Sequence, residues 1–270
     1  GFIDAVDYRI IMNYYYNCDA TANNIYENAS LTNPQWMPGG SQYTIEVGLY
    51  AHDDPTTIYP QTVTSYPKYG SELVLSLDTL KWVELDNPSG CLTGNNICIF
   101  LASYSAVTRL SVINPSNNQP VIGGYHVVHE RCCRNSGINN IQGSGGVGMT
   151  YYAYIPPVGY QNTSPEFIKE PLPFICVNDS TSALNSAIDV DGDQLVFSYV
   201  SPLDGNINGP GNPQPAIYPN NYSLPIPTVP YSAGHSFQNP FGTGGSYTVN
   251  AQNGLTNYYT TSTGKFVVAA

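Results

Sequence analysis

Three aspartates open the chemical reading of this chain. Asp189, Asp191 and Asp193 lie in the run DVDGD. Alternate residues of an extended segment share one side, so three carboxylates converge there. Like charges that close call for a cation or for protonation, and a set of oxygen ligands suits Ca²⁺. The loop is not an EF-hand: Gly192 falls at its fourth position, and Val200 stands where the closing Glu belongs. The competing reading is a solvated acidic turn without metal.

Other motifs carry less chemistry. GSGGVG (Gly143–Gly148) matches GxGxxG, but the strand-like TYYAYI follows it where a dinucleotide site needs a helix, so a flexible hairpin loop is expected. His126 and His129 lie three apart on a strand, on opposite faces, a poor arrangement for chelating one zinc, and a mixed site with Cys132 or Cys133 would need those cysteines reduced. One packed and one exposed histidine is the expectation. Neither GxSxG nor HExxH occurs, and Asp53–Asp54 sits in a Pro-rich turn, so the chain reads as non-catalytic.

The six cysteines are Cys18, Cys91, Cys98, Cys132, Cys133 and Cys176. The number is even and CxxC is absent, which points to disulfides in an oxidising compartment. Cys91 and Cys98 flank a turn and could close a local bridge. Adjacent Cys132 and Cys133 face opposite ways on a strand and should reach different partners. The connectivity stays open. Asn28, Asn162, Asn178 and Asn221 each begin an N-x-S/T sequon. Thr79 and Ser180 lie in Asp-Thr-Leu and Asp-Ser-Thr, candidates for O-glycosylation.

The elements that must position these residues are strands. Alternation dominates the chain and helical periodicity is nearly absent. Ala5–Asn17 reads as one long strand whose apolar face carries Val6, Tyr8, Ile10, Met12, Tyr14 and Tyr16. QYTIEVGLYAH, SELVLSL, KWVEL, ICIFLASY, TRLSVI, GYHVVHERC and MTYYAYI continue the series, separated by turn signals such as DNPSG and QGSGG. PPVGYQNTSPEF resembles a linker, so residues 1–160 form one expected sandwich and 161–270 a second. FICVND, ALNSAIDV, QLVFSYV, GSYTVNAQ and GKFVVAA supply the strands of the second. Residues 205–230, dense in Pro, Asn and Gly, are expected to form a long irregular loop. The fold class is therefore all-β: two Ig-like or cadherin-like β-sandwich domains with long irregular loops.

Composition narrows the partners. Charged residues make up 10% of the chain, against about 25% in an average soluble domain. The net charge is −11, so a phosphate backbone or an anionic membrane would be repelled. No apolar run is long enough to span a bilayer. The 23 Tyr and 27 Asn give aromatic cores and turn-forming residues in place of charge. The start, GFIDAVDYRII, lacks the marks of a signal peptide and reads as an already processed or internal N-terminus.

From Cys91 onward the series CLTGNNICIFLASYSAVTRL, GYHVVHERCCRNSGINNI, NTSPEF, DVDGDQLVFSYV and TGKFVVA resembles a family of very large Bacteroidetes surface proteins, gliding-motility-adhesin-like chains of the type IX secretion route. CCRN and the pairing of NTSPEF with DVDGDQL are its most specific parts. The family's Cys-Gly-Gly near the first strand is missing here. The resemblance implies an extracellular location, Ig-, cadherin- or PKD-like sandwiches, and a structural or adhesive role without catalytic residues. It also favours Ca²⁺ at the Asp189 loop, joined by Glu166 and Asp204. Family members continue past TGKFVVA with another strand. Either this is one segment of a longer adhesin, or a neighbouring molecule supplies that strand. The second case predicts a head-to-tail homopolymer in which Val6, Tyr8, Ile10, Met12 and Tyr14 form the donor strand. The alternative is a carbohydrate-binding sandwich, with tyrosines stacking on glycans.

Overall fold

The computed structural model describes residues 4–17, 44–52, 64–83, 99–132, 134–160, 162–172, 174–205, 218 and 221–269. The chain is all-β. In order, its strands are β1 (Ala5–Asn17), β2 (Thr44–Ala51), β3 (Thr64–Pro67), β4 (Leu73–Trp82), β5 (Ile99–Ser111), β6 (Ile113–Asn114), β7 (Gln119–Pro120) and β8 (Tyr125–Arg131). They continue with β9 (Met149–Ile155), β10 (Glu166–Phe167), β11 (Thr181–Leu184), β12 (Ala187–Ile188), β13 (Asn221–Leu224), β14 (Ser246–Val249) and β15 (Leu255–Tyr259). Among the described residues, a 3-10 turn, Ser144–Gly146, lies between β8 and β9.

The largest sheet is antiparallel, in the order β1-β5-β4-β2-β8-β9. β1 pairs with β5 over all thirteen residues, from Ala5↔Ser111 to Asn17↔Ile99. The expected strands ICIFLASY and TRLSVI are one strand, β5. SELVLSL and KWVEL likewise join as β4, with a register shift between Leu77 and Thr79. No glycine or proline stands at either join, so the ladder runs through. The sheet curls until its two ends meet. Tyr14 of β1 stands 5.5 Å, centroid to centroid, from Tyr151 of β9. Inside the curl, Met12, Tyr14, Ile45, Leu75, Tyr104, Leu110 and Tyr125 are buried together.

β2 and β8 are covered on both faces. Their other side packs against Tyr218, Tyr222, Leu224 and Ile226. This corrects the expectation for residues 205–230 at Asn221–Leu224, while residues 206–217, 219 and 220 lie outside the described residues. Tyr222, Leu224 and Ile226 alternate, and β13 pairs with β3 from Asn221↔Pro67 to Leu224↔Thr64. The surrounding prolines hid a core strand. The same double cover corrects the histidine expectation: His126 and His129 are both buried.

The chain beyond Tyr160 is built from shorter pieces. β11, β15 and β14 make a three-stranded sheet, and β10 pairs with β12. QLVFSYV is extended but lies in no paired strand; Leu195, Phe197 and Tyr199 are half-buried and Val196 is exposed. Phe241, Tyr247 and Tyr258 form the local core. Its attachments to the first sheet are specific. The Arg134 guanidinium donates to Leu203 O (2.9 Å) and Gly148 N–H to Asp204 Oδ1 (2.8 Å). Gly148 is there for clearance, since a Cβ on it would stand 1.1 Å from Gly205 O. GSGGVG is thus a docking loop whose last glycine permits backbone contact. The segment that carries GKFVVAA is held by the buried amide of Asn140. That amide donates to Val267 O (2.7 Å) and accepts from Val267 N–H (3.0 Å), as a strand backbone would. Two stretches of the family-like series, GINNI and TGKFVVA, therefore touch.

Candidate functional site

The structure spreads the expected site residues over three places. The first is β1. Its inward row, Val6, Tyr8, Ile10, Met12 and Tyr14, is seated in its own chain, with Met12 and Tyr14 fully buried against β5 and its neighbours. The expected donor strand is therefore housed at home, because β5 offers it a full-length ladder. Its outward residues Asp7 and Arg9 pair with Arg109 (3.2 Å) and Asp78 (3.1 Å). Such exposed pairs contribute about 0–1 kcal/mol each.

A cleft of about 1520 Å³ runs along β1. Its walls include β1, β9 and the segment from Asn162 to Leu172. That segment is pinned by Glu170, which accepts hydrogen bonds from the Tyr15 hydroxyl on β1 and from Lys81 Nζ on β4 (2.9 Å). Burial pushes the Glu170 carboxyl up, but the bonds from Tyr15 and Lys81 hold it below its ordinary range. Burial, then Glu170, pushes the Tyr15 hydroxyl up. Tyr15 and Tyr154 are exposed at the cleft.

The second place is the DVDGD loop. Asp189 Oδ1 accepts from the N–H groups of Asp191 (2.9 Å) and Asp193 (3.4 Å), and Asp191 Oδ2 accepts from Thr163 N–H (2.5 Å). Gly192 turns the chain with φ +83°. The aspartates thus build the turn and tie it to the NTSPEF segment. Among the described residues, no three His, Cys, Asp or Glu side chains are grouped to hold a metal. Asp204 is instead occupied with Gly148 and Gly205, and Glu166 is exposed on β10.

The third place is a buried polar layer, of which the sequence pointed only to the histidines. Glu130 is 4% exposed and accepts the Tyr222 hydroxyl. The Tyr218 hydroxyl donates to Glu46 O (3.0 Å) and accepts weakly from Glu130 N–H (3.4 Å). Burial, then Glu130, pushes Tyr222 up. His126 contacts the Tyr152 hydroxyl through Nδ1 (2.9 Å) and stacks against His52. Burial, and secondarily His52, lowers its pKa to about 4. The alternation Tyr222-Leu224-Ile226 was the only signal available for the rest of this layer.

The remaining expectations divide. Cys132 and Cys176 are buried and neither is a free thiol. Cys18, Cys91, Cys98, Cys133 and Asn28 lie outside the described residues. Asn162, Asn178, Ser180 and Thr79 are exposed, while Asn221 lies on β13. Among the described residues, no helix is long and apolar enough to cross a membrane. No protein-family model matches the chain, and comparison with curated proteins and with solved structures likewise finds no match.

Proposed function

We propose that this chain is a non-catalytic, extracellular structural protein, a filament subunit or adhesin segment that assembles when copies exchange β1. The observation that carries the reading is the place of β1. It is an edge strand with one strand partner among the described residues, and residues 18–43 separate it from β2. Removing it leaves β5-β4-β2-β8-β9 contiguous. A neighbour's β1 would then make the same contacts with β5, and a head-to-tail exchange does not close, so it yields a fibre. The residue-level resemblance to large Bacteroidetes surface proteins and to their Ig- or cadherin-like sandwiches supports the same reading. So does a pattern of six cysteines suited to disulfides outside the cell.

In this reading Ca²⁺ would have to draw Asp189, Asp191 and Asp193 together from the turn they now cap, and Thr79, Ser180, Asn162 and Asn178 are positions open to glycan. Calcium should then raise the melting temperature over that in a chelator; identical melting curves would remove the ion from the account. Electron microscopy and size-exclusion chromatography test the assembly. Filaments from the full chain, and none from a chain lacking residues 1–17, are expected. Monomers at every concentration overturn it. The second reading, a carbohydrate-binding module, draws on exposed Tyr15 and Tyr154 at the cleft, and a glycan array tests it.

A further inference from the structure

We infer that the cleft along β1 receives an extended, uncharged polypeptide strand with apolar residues at alternate positions. Among the described residues, β1 has a strand partner on one edge, β5, and its other edge borders the cleft. Val6, Tyr8 and Ile10 from one side of the pleat line the cleft, and so do Arg9, Ile11 and Asn13 from the other. The same cleft touches Thr79, Lys81, Leu101 and Ser103 on β4 and β5 and also Val127 and Ile155, which belong to the core inside the curl, so it passes from one face of the sheet to the other beside β1. The cleft therefore opens onto a row of backbone N–H and C=O groups.

The opposite wall has the same character. β9 closes the other end of the sheet, with β8 as its one strand partner among the described residues. Through the alternating order of the sheet it runs antiparallel to β1. The two edges meet at Tyr14, whose hydroxyl reaches Met149 Sδ (3.6 Å), and Val6 and Ile155, farther along them, both line the cleft. Tyr151 is 38% exposed and Ala153 is exposed, although both face the inside of the curl. A strand laid against β1 at about 4.8 Å would continue the ladder and cover that face.

Charge selects the occupant. Asp7, Glu166 and Glu170 on the lining balance Arg9, Lys81 and Lys169, in a chain whose net charge is −11. Asp7, Arg9, Lys81 and Glu170 already have partners. Glu166 and Lys169, of opposite sign, are the other two charges on the lining, so a visitor of either net charge meets no surplus of counter-ions, whereas a neutral strand finds hydrogen-bonding groups and apolar neighbours. A backbone alone offers donors and acceptors at the spacing of a strand edge.

This inference deepens the adhesive side of the proposed function by naming a ligand class, and it rests on that reading for its biological setting. The test is to pan a displayed library of random twelve-residue peptides against the full chain, and then against the Ile11→Arg and Ala153→Arg variants. Both positions are exposed, so the fold should survive; circular dichroism checks this. Enriched peptides should alternate apolar and polar residues and carry no net charge. Each variant should weaken them about tenfold or more, because the new charge has no partner once the strand covers it. Binding should also slow hydrogen exchange along β1. No enrichment, peptides without alternation, binders indifferent to both substitutions, or protection absent from β1 would overturn the inference. So would an oligosaccharide that protects β1 where peptides do not. Filament formation is scored separately on the same variants. Peptide capture without filaments in the native chain removes the assembly reading alone, and filaments without capture remove this inference alone.

Discussion

The two halves of the molecule solve the same problem differently. The first sheet uses length: β1 and β5 are thirteen residues each and β4 is ten. Its alternation translates directly into burial, as in β2, where Ile45, Val47 and Leu49 are 1–2% exposed. The chain beyond Tyr160 uses strands of two to five residues and completes its ladders with side chains. The Tyr199 hydroxyl donates to Tyr247 O (3.1 Å) and accepts from Val249 N–H (3.2 Å), standing in for a backbone along the edge of β14. Asn140 does the same for Val267. Alternation alone therefore does not promise a paired strand. It promises two unlike faces, and the neighbours decide what pairs with the backbone.

If the second half depends on its docking contacts, the largest effect comes from Gly148→Ala. Its Cβ would overlap Gly205 O, so the two backbones must part, at a cost of about 4 kcal/mol or more. Denaturant unfolding should show this as two transitions in place of one; a variant as stable as the parent would show that the halves do not rely on each other. The first half should be the more acid-sensitive at His126. Its pKa is depressed when folded, so the stability from burying it neutral is complete above about pH 6.5 and lost as pH falls toward 4. The loss is about 3 kcal/mol. Replacing His126 by Phe should flatten the stability profile between those values, and an unchanged slope would contradict the assignment.

Asn140→Ala should cost about 2 kcal/mol by leaving Val267 without partners, with hydrogen exchange rising first at residues 264–269. Uniform exchange across the chain would place that segment elsewhere in the unfolding order. Arg9→Ala should cost less than about 1 kcal/mol, since the pair with Asp78 is solvent-exposed. A larger loss, read by thermal melting, would mean the outer face of β1 matters more than its inner row.

How far the sequence could be read follows the same division. The Val6-to-Tyr14 alternation led straight to β1, and the all-β class followed from such rows. The partner of β1 was not legible, because β5 lies more than eighty residues away and alternation says nothing about order in a sheet. Tyr218 and Tyr222 were hidden by prolines around them. GSGGVG was recognised as a loop, but the need for glycine at 148 comes from Gly205, which no local motif contains. DVDGD was legible as a convergence of carboxylates suited to Ca²⁺, with an acidic turn as the competing reading; that Asp191 would hold Thr163 required the fold.

The separation between β1 and β5 bears on how the chain acquires its shape. A thirteen-residue strand rich in tyrosine and isoleucine leaves the ribosome more than eighty residues before its partner is made. During that interval it is the segment most prone to stick to another copy. Asp7 and Arg9, which interrupt its outward row, then act as gatekeepers before they act as ion-pair members, keeping a waiting strand soluble until its template arrives.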